Sequence, residues 1–358
     1  MKKVILCVVA VLLICGTLSA CGSSQSKLDA TATAEINIFL DNLTEQRLFA
    51  GSVLIARHGN ILLSKGYGLA DREQNIPNTV QTRYRIYSLT KQFTAMAILI
   101  LESQGKLDVK DPICKYLVDC PTTWETITIH HLLTHTSGIP DNLNFQRSQD
   151  TSSVFLQIIA RFKDVPLNFN PGEKWEYSNW GYTMLGYIIE QASGQSYEDF
   201  LGQSIFTPLK MHNTGYCHDS NGLAAGYVNQ YASNPVNFVD DQSVVDAAGG
   251  LYSTVEDLYR WEQVLSTKKL VPRAYMDEMF TPYMLNVGGT EYGYGYGWAI
   301  GTRNGRPIHW HGGESDGFRS IIARYPDDQI TIIVLSNQQD TDVETMLDFM
   351  SPKLFGGE

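Results

Sequence analysis

Ile86-Tyr-Ser-Leu-Thr-Lys-Gln-Phe-Thr-Ala-Met-Ala-Ile-Leu-Ile-Leu-Glu-Ser-Gln-Gly105 is the stretch around which this 358-residue chain is organised. The pattern predicts a helix that opens at Ser88 and stops at Gly105, because serine favours the first position and glycine adopts the left-handed backbone that ends a helix. Between them Phe93, Ala95, Met96, Ala97, Ile98, Leu99, Ile100 and Leu101 leave almost no polar face. A helix that is apolar all round belongs in a protein interior. Lys91 follows Ser88 by three residues, so one helical turn brings both side chains to the same edge. Serine is a poor nucleophile until a base takes its proton, and lysine is such a base only when burial or nearby positive charge lowers its pKa from about 10.4. The apolar helix supplies the burial, and its N-terminus offers partial positive charge and a Ser88 N–H able to hold an oxyanion. Ser-x-x-Lys by itself is unspecific. Ser24 to Lys27, Ser103 to Lys106 and Ser266 to Lys269 also match, in a tether, at a helix end and in a polar turn.

Upstream, Thr33 to Arg47 reads as a helix with Ile36, Leu40 and Leu43 on one face. Ser52 to Arg57 and Ile61 to Tyr67 flank His58-Gly-Asn60 as a hairpin. Downstream, helices are expected at Thr128 to Thr136, Val154 to Phe162, Tyr182 to Ala192, from Tyr197 toward Pro208, and at Thr254 to Leu265. Residues 141–150 read as polar loop and 211–250 as irregular. From Tyr292 the pattern turns strand-like: Tyr292 to Ile300, Pro307 to His311, Phe318 to Tyr325 and Gln329 to Leu335, with a closing helix at Thr341 to Leu354. Strands at both ends with helices between them predict an α+β, multidomain class: an antiparallel sheet built from both termini, flanked by terminal helices, with an inserted mostly helical domain. The boundaries that follow are 33–87 plus 285–356 for the α/β part and 88–284 for the helical part.

The composition is 43% hydrophobic and 18% charged, and the net charge is −11, so nucleic acid is an unfavourable partner. Lys2 and Lys3 precede an apolar run from Val4 to Cys15 that is too short for a comfortable membrane span and reads as an export signal over residues 1–20. Its Leu18-Ser-Ala-Cys21 end resembles a bacterial lipoprotein box, implying cleavage before Cys21, lipidation of that thiol and an extracytoplasmic protein held to a membrane by its lipid. The other reading is a conventional signal peptide cut nearby. Residues 21–32 would be a flexible tether, and loss of the two lysines takes the charge to about −13. Cys114, Cys120 and Cys217 remain; the first two either close a small loop as a disulfide or stay free thiols.

Two further clusters carry chemistry. In Tyr177-Ser-Asn179 a tyrosine beside a serine can relay a proton, and an amide two residues on can hold a substrate carbonyl or the lysine. The bland reading is a loop tyrosine packed on Trp175 or Trp180, and Tyr227-x-Asn229 has the same spacing. His309-Trp-His-Gly-Gly313 ends a predicted strand, where the glycines leave a bare edge for a substrate backbone and the N–H of Glu314 offers a second oxyanion donor. His130, His131 and His135 invite a zinc site, but Leu132 stands where a zincin requires glutamate, so they read as helix caps and packing; no metal and no cofactor is expected.

The order Ser88-x-x-Lys91, Tyr177-x-Asn179, His311-Gly312-Gly313 resembles the serine β-lactamase and penicillin-binding-protein superfamily, in particular the branch of class C β-lactamases, D-alanyl-D-alanine carboxypeptidases, D-aminopeptidases and esterases. Gly51-Ser-Val-Leu-Ile, His131-Leu-Leu-Thr-His-Thr-Ser-Gly-Ile-Pro, Pro171-Gly-Glu-Lys-Trp-Glu-Tyr-Ser-Asn and Ala248-Gly-Gly-Leu-Tyr-Ser-Thr agree with it. The resemblance implies a β-lactamase/transpeptidase-like fold and an acyl-enzyme mechanism. Ser88 would be nucleophile, Lys91 base and Tyr177 proton-transfer partner. Asn179, His311, Gly312, Gly313 and Glu314 would bind substrate, the N–H groups of Ser88 and Glu314 forming the oxyanion hole. Where Lys-Thr-Gly members have a cation and a hydroxyl, this chain has His311 and Gly312. Losing a charge-assisted hydrogen bond of about 1.5–3 kcal/mol would weaken carboxylate recognition roughly ten- to a hundredfold, unless Arg319 restores a cation. The expectation is therefore a hydrolase of esters or D-amino-acid amides and peptides, possible pieces of cell wall among them. A weak class C-like β-lactamase and a non-turnover penicillin- or wall-binding lipoprotein are the alternatives.

Overall fold

The computed structural model describes residues 29–141, 159, 162, 164–218, 221–236 and 246–355. The expected leader, Cys21 and most of the tether, the run 142–150 and most of the helix expected at Val154 to Phe162 lie outside the described residues.

β1 (Gly51–Arg57) and β2 (Asn60–Tyr67) form the predicted hairpin. β3 (Leu69–Asp71) and β4 (Ile76–Pro77) pair beside it, and β5 (Tyr84–Arg85), β6 (Gly215–Tyr216) and β7 (Leu251–Ser253) make a small patch in the order β5-β7-β6. β8 (Gly293–Tyr294), β9 (Ala299–Arg303), β10 (Arg306–Ser315), β11 (Phe318–Tyr325) and β12 (Ile330–Ser336) complete the main sheet, ordered β2-β1-β12-β11-β10-β9-β8 with antiparallel neighbours. The two chain ends meet where β1 pairs β12, from Gly51 opposite Ser336 to Arg57 opposite Ile330. Both faces of this sheet are covered, which explains why β1 and β12 are apolar throughout instead of alternating. Strand alternation sends Val53, Ile55, Ile321 and Val334 to one core and Leu54, Ile322, Ile333 and Leu335 to the other.

The first core is closed by α1 (residues 29–45), which brings in Ile36 and Leu40, and by the C-terminal helix Val343–Leu354 with Met346, Leu347 and Met350. The two helices touch through stacked Phe39 and Phe349. α1 is already helical at Asp29, four residues before the expected Thr33 and within the stretch read as tether. The Thr33 hydroxyl donates to the Asp29 carbonyl at 2.7 Å, and the Asp29 carboxylate pairs with Arg57.

The second core surrounds α2 (Thr90–Ser103), buried from Thr90 to Leu101 and ended at Gly105, whose φ is +70°. Its start differs from the expectation. Ser88 lies inside a 3-10 turn, Tyr87–Leu89, and no side chain caps the helix. Tyr87 has a left-handed φ of +43°, a strained conformation for an aromatic residue directly before the serine. α3 (Ile129–Leu133) stops short of the expected Thr136, and His135 has a φ of +58°. α4 (Asn179–Ser193) is capped by Ser178 and ended by Gly194, so Asn179 opens a helix where a loop was expected. α5 (Asp246–Gly249) and α6 (Val255–Val264), capped by Thr254, follow. The helix expected from Tyr197 is three pieces, Tyr197–Leu201, a π turn at Gly202–Phe206 and Thr207–Leu209. β10 runs four residues past His311, so the two glycines are inside the strand and not beyond it. Cys114 and Cys120 are bridged, the first of the two readings the sequence left open. Among the described residues no helix is long and apolar enough to cross a membrane.

Candidate active site

The mouth of α2 gathers side chains from across the chain. Lys91 is fully buried, and its Nζ lies 3.1 Å from Ser88 Oγ, 2.8 Å from Asn179 Oδ1 and 2.9 Å from the Ala248 carbonyl oxygen. The turn before α2, the first residue of α4 and α5 each supply one partner. The Tyr177 hydroxyl donates to the same Ser88 Oγ at 2.9 Å. Ser88, Tyr177 and Asn179 are half-buried, so the cluster is open on the serine side and closed on the lysine side.

Burial of this amine, with the rings of Tyr177 and Tyr182 at 4.7 and 5.5 Å from Nζ, brings the Lys91 pKa from 10.5 down to about 7, against the opposing pull of Asp141. Burial raises Tyr177, which is therefore a phenol and a donor at neutral pH. A neutral lysine has two N–H donors and one lone pair. The Asn179 and Ala248 oxygens can only accept, so they take both hydrogens and leave the lone pair directed at the Ser88 hydroxyl. This is the hydrogen-bond pattern of a nucleophile with its base.

β10 closes the other side. A Cβ on Gly313 would lie 2.2 Å from the Ile86 carbonyl oxygen and 2.4 Å from Ser320 Oγ, so only glycine lets this strand meet the turn that carries Ser88. β9 pairs with β10 only from Arg306 to Trp310, which leaves the edge from His311 onward bare on that side, as the sequence suggested. His311 is buried among Tyr294, Tyr177 and Lys91. Its Nδ1–H donates to the Gly312 carbonyl at 2.6 Å and its Nε2 accepts from the Tyr294 hydroxyl at 2.9 Å. Burial, then the neighbouring Lys91, lowers its pKa to about 4, so the ring is neutral and both nitrogens are engaged.

Alternation along β10 places His311 and Gly313 toward Ser88, and puts Gly312 and Glu314 on the face shared with Ile308 and Trp310. Glu314 thus reaches the site only through its backbone. Its carboxylate pairs with Arg319 on the same far face, which corrects the expectation that Arg319 restores a cation.

Asp141 had no role assigned from the sequence, and His135 was read only as cap and packing, yet both help assemble the site. Asp141 accepts from the backbone N–H groups of Asn179 (2.6 Å) and Trp180 (3.2 Å) and from Asn179 Nδ2 (3.0 Å). His135 lies 4.3 Å from the Tyr177 ring, and its Nδ1 accepts the Ser178 N–H at 3.1 Å. Burial lowers its pKa well below the usual value, so it stays neutral beside Lys91. The stretch from His131 to Pro140 marked this region without saying what it holds. The histidines behave as caps and packing: His131 Nδ1 accepts the Thr128 N–H, and His130 bonds the Tyr296 hydroxyl. Tyr227, of the second Tyr-x-Asn match, accepts from the Arg72 N–H far from this cluster. The Tyr177 ring lies 6.3 Å from Trp175, as the bland reading has it, while its hydroxyl reaches Ser88.

A family model described as Beta-lactamase matches residues 36–352. The chain belongs to that family. It is 33% identical over 334 residues to penicillin-binding protein 4* of Bacillus subtilis, covering 86% of this chain and 73% of that one. Among solved structures, the octameric penicillin-binding protein homologue of Pyrococcus abyssi superposes with a TM-score of 0.76 at 29% identity, covering 88% of this chain and 76% of that one. The D-amino acid amidase of Ochrobactrum anthropi, solved with L-phenylalanine amide, does so with a TM-score of 0.75 at 25% identity, covering 89% and 98%. The chain is thus a member of the serine β-lactamase and penicillin-binding-protein superfamily, and its sheet and helices have that superfamily's fold.

Proposed function

We propose that this protein is a serine hydrolase that forms an acyl-enzyme at Ser88 and acts on esters or on D-amino-acid amides and peptides. The observation that carries the proposal is the buried Lys91, its pKa lowered to about 7, with Nζ 3.1 Å from Ser88 Oγ and its two other partners able only to accept, so that its neutral form keeps its lone pair for the Ser88 hydroxyl. In the proposed reaction Ser88 Oγ attacks the substrate carbonyl as its proton passes to Lys91. The N–H groups of Ser88 and Glu314 hold the oxyanion. Lys91 and Tyr177 return the proton to the leaving alcohol or amine, and Asn179 orients both Lys91 and the substrate. Water then takes the place of the leaving group, and the same groups reverse their roles.

The substrate class rests on His311. A neutral imidazole with both nitrogens engaged provides no charge for a substrate carboxylate, and Arg319 is on the other face of the strand. This favours neutral acyl substrates over chains ending in a carboxylate, and it agrees with the likeness to a D-amino acid amidase. The test is turnover of p-nitrophenyl esters and D-phenylalanine amide, with Ser88→Ala as control; equal rates in the two proteins reject Ser88 as nucleophile. Nitrocefin turnover at rates matching the esters would favour the β-lactamase reading, and labelling without turnover the binding reading.

An extracytoplasmic location with anchoring through Cys21 is part of the proposal. The leader pattern supports it, as does the Cys114–Cys120 bridge, which suits an oxidising compartment. Metabolic labelling with a radioactive fatty acid, lost in Cys21→Ala, tests it.

A further inference from the structure

We infer that Asp141 is the positioning residue that sets the direction of the Asn179 amide and thereby aims the Lys91 lone pair at Ser88. This rests on the serine-hydrolase reading above and adds to it a residue with no contact to Ser88. The carboxylate of Asp141 accepts three hydrogen bonds, two from the backbone at the start of α4 and one from Asn179 Nδ2. Ser178 Oγ already takes the next free N–H of that helix, from Gly181, so the α4 terminus has two acceptors. A carboxylate can only accept. Facing it, the Asn179 side chain must present NH2, and its oxygen must then point the other way, to Lys91 Nζ at 2.8 Å. Were the amide reversed, its NH2 would face Lys91, one lysine hydrogen would lose its acceptor, and the lone pair would turn from Ser88 toward Asn179.

An asparagine at 141 keeps an oxygen for the backbone N–H groups, so the helix cap survives. Its own NH2 then opposes that of Asn179, and the direction of the amide is no longer enforced. The substitution also removes the negative charge that raises the Lys91 pKa. The other titratable groups facing Lys91 are His135 and His311, both neutral, and the phenols Tyr177 and Tyr182, so Asp141 is the one formal charge acting on it among the described neighbours.

The experiment compares wild type, Asp141→Asn, Asn179→Ala and the double variant. Its readouts are p-nitrophenyl ester kinetics against pH, thermal melting, and the Lys91 titration followed by NMR of 13C-labelled lysine. In Asp141→Asn, kcat is expected to fall about ten- to a hundredfold with KM nearly unchanged, and the fold to melt within a few degrees of wild type. The Lys91 titration and the acidic limb of kcat/KM should both move down by about one pH unit. In the Asn179→Ala background, Asp141→Asn should change kcat less than about twofold, because the amide it acts through is gone. An unmoved Lys91 titration in Asp141→Asn overturns the inference, and so does an equal kcat loss in the Asn179→Ala background. The NMR titration reads the Asp141 charge on Lys91 without substrate and the kcat comparison reads the amide, so failure of either is distinct from a wild type without Ser88-dependent turnover, a result that would sink the hydrolase reading instead.

Discussion

The state of one amine decides whether this site works at neutral pH. With the Lys91 pKa lowered to about 7 by burial, half of the molecules hold a free base at pH 7. About one in eleven does at pH 6 and about one in a hundred at pH 5, from the titration relation alone. If Lys91 takes the Ser88 proton, log kcat/KM for a p-nitrophenyl ester must climb by one unit per pH unit up to about 7 and then level off. Lys91→Arg keeps a positive side chain that cannot lose its proton in this range, so it should lose at least a hundredfold at every pH. The same shift acts on stability. The folded-state pKa lies below the unfolded value of 10.5, so the unfolded chain binds more protons between about pH 7 and 10.5. Stability should therefore rise with pH through that window, and the penalty is fully present below pH 7, at roughly 5 kcal/mol as an upper bound. Chemical denaturation at pH 6, 8 and 10, beside Lys91→Met, reads this term. A limb centred near pH 4, where His311 titrates, or a Lys91→Arg protein within tenfold of wild type, would refute the assignment of the base.

Other outcomes follow from single contacts. Tyr177→Phe keeps the ring against His135 and removes only the donor to Ser88 Oγ. It should lower kcat by about a hundredfold and change stability by no more than about 1 kcal/mol, read by kinetics and melting. Gly313→Ala drives a methyl group into the Ile86 carbonyl and should cost both activity and melting temperature, whereas Gly312→Ala meets only the Ser320 carbonyl oxygen at 3.6 Å and should be tolerated. Replacing Cys114 and Cys120 by serine opens a small loop, and by loop entropy should remove about 2 kcal/mol of stability without altering kcat. His311→Lys should raise the ratio of carboxylate-bearing to neutral substrates turned over, measured with matched peptide and amide pairs.

Much of the fold was legible because burial leaves periodic marks. The strand-like run Phe318 to Tyr325 matched β11 residue for residue, and the apolar run after Ser88 marked α2, since both report how many faces of an element are covered. Boundaries moved where a side chain serves something other than its own element. Ser88 reads as a helix cap, but its hydroxyl is held by Lys91 and Tyr177, so the first turn tightens to 3-10 and α2 begins later. Asn179 reads as loop because it directly follows the polar pair Tyr177 and Ser178, and only the acceptors from Ser178 and Asp141 show that the helix starts there. Glu314 and Arg319 sit within a few residues of the site, yet a strand's alternation turned them away from it.

The sequence alone determined the serine and lysine three residues apart at the mouth of a buried helix, the strands shared by the two chain ends, and the order of the three motifs, because local periodicity and spacing encode these. Only the tertiary structure decided that Lys91 is ringed by Asn179 and Ala248, 88 and 157 residues away in the chain, that His311 is neutral, and that Asp141 fixes the amide. Desolvation and the direction of a hydrogen bond depend on which groups face one another across elements, and no stretch of the chain carries that by itself.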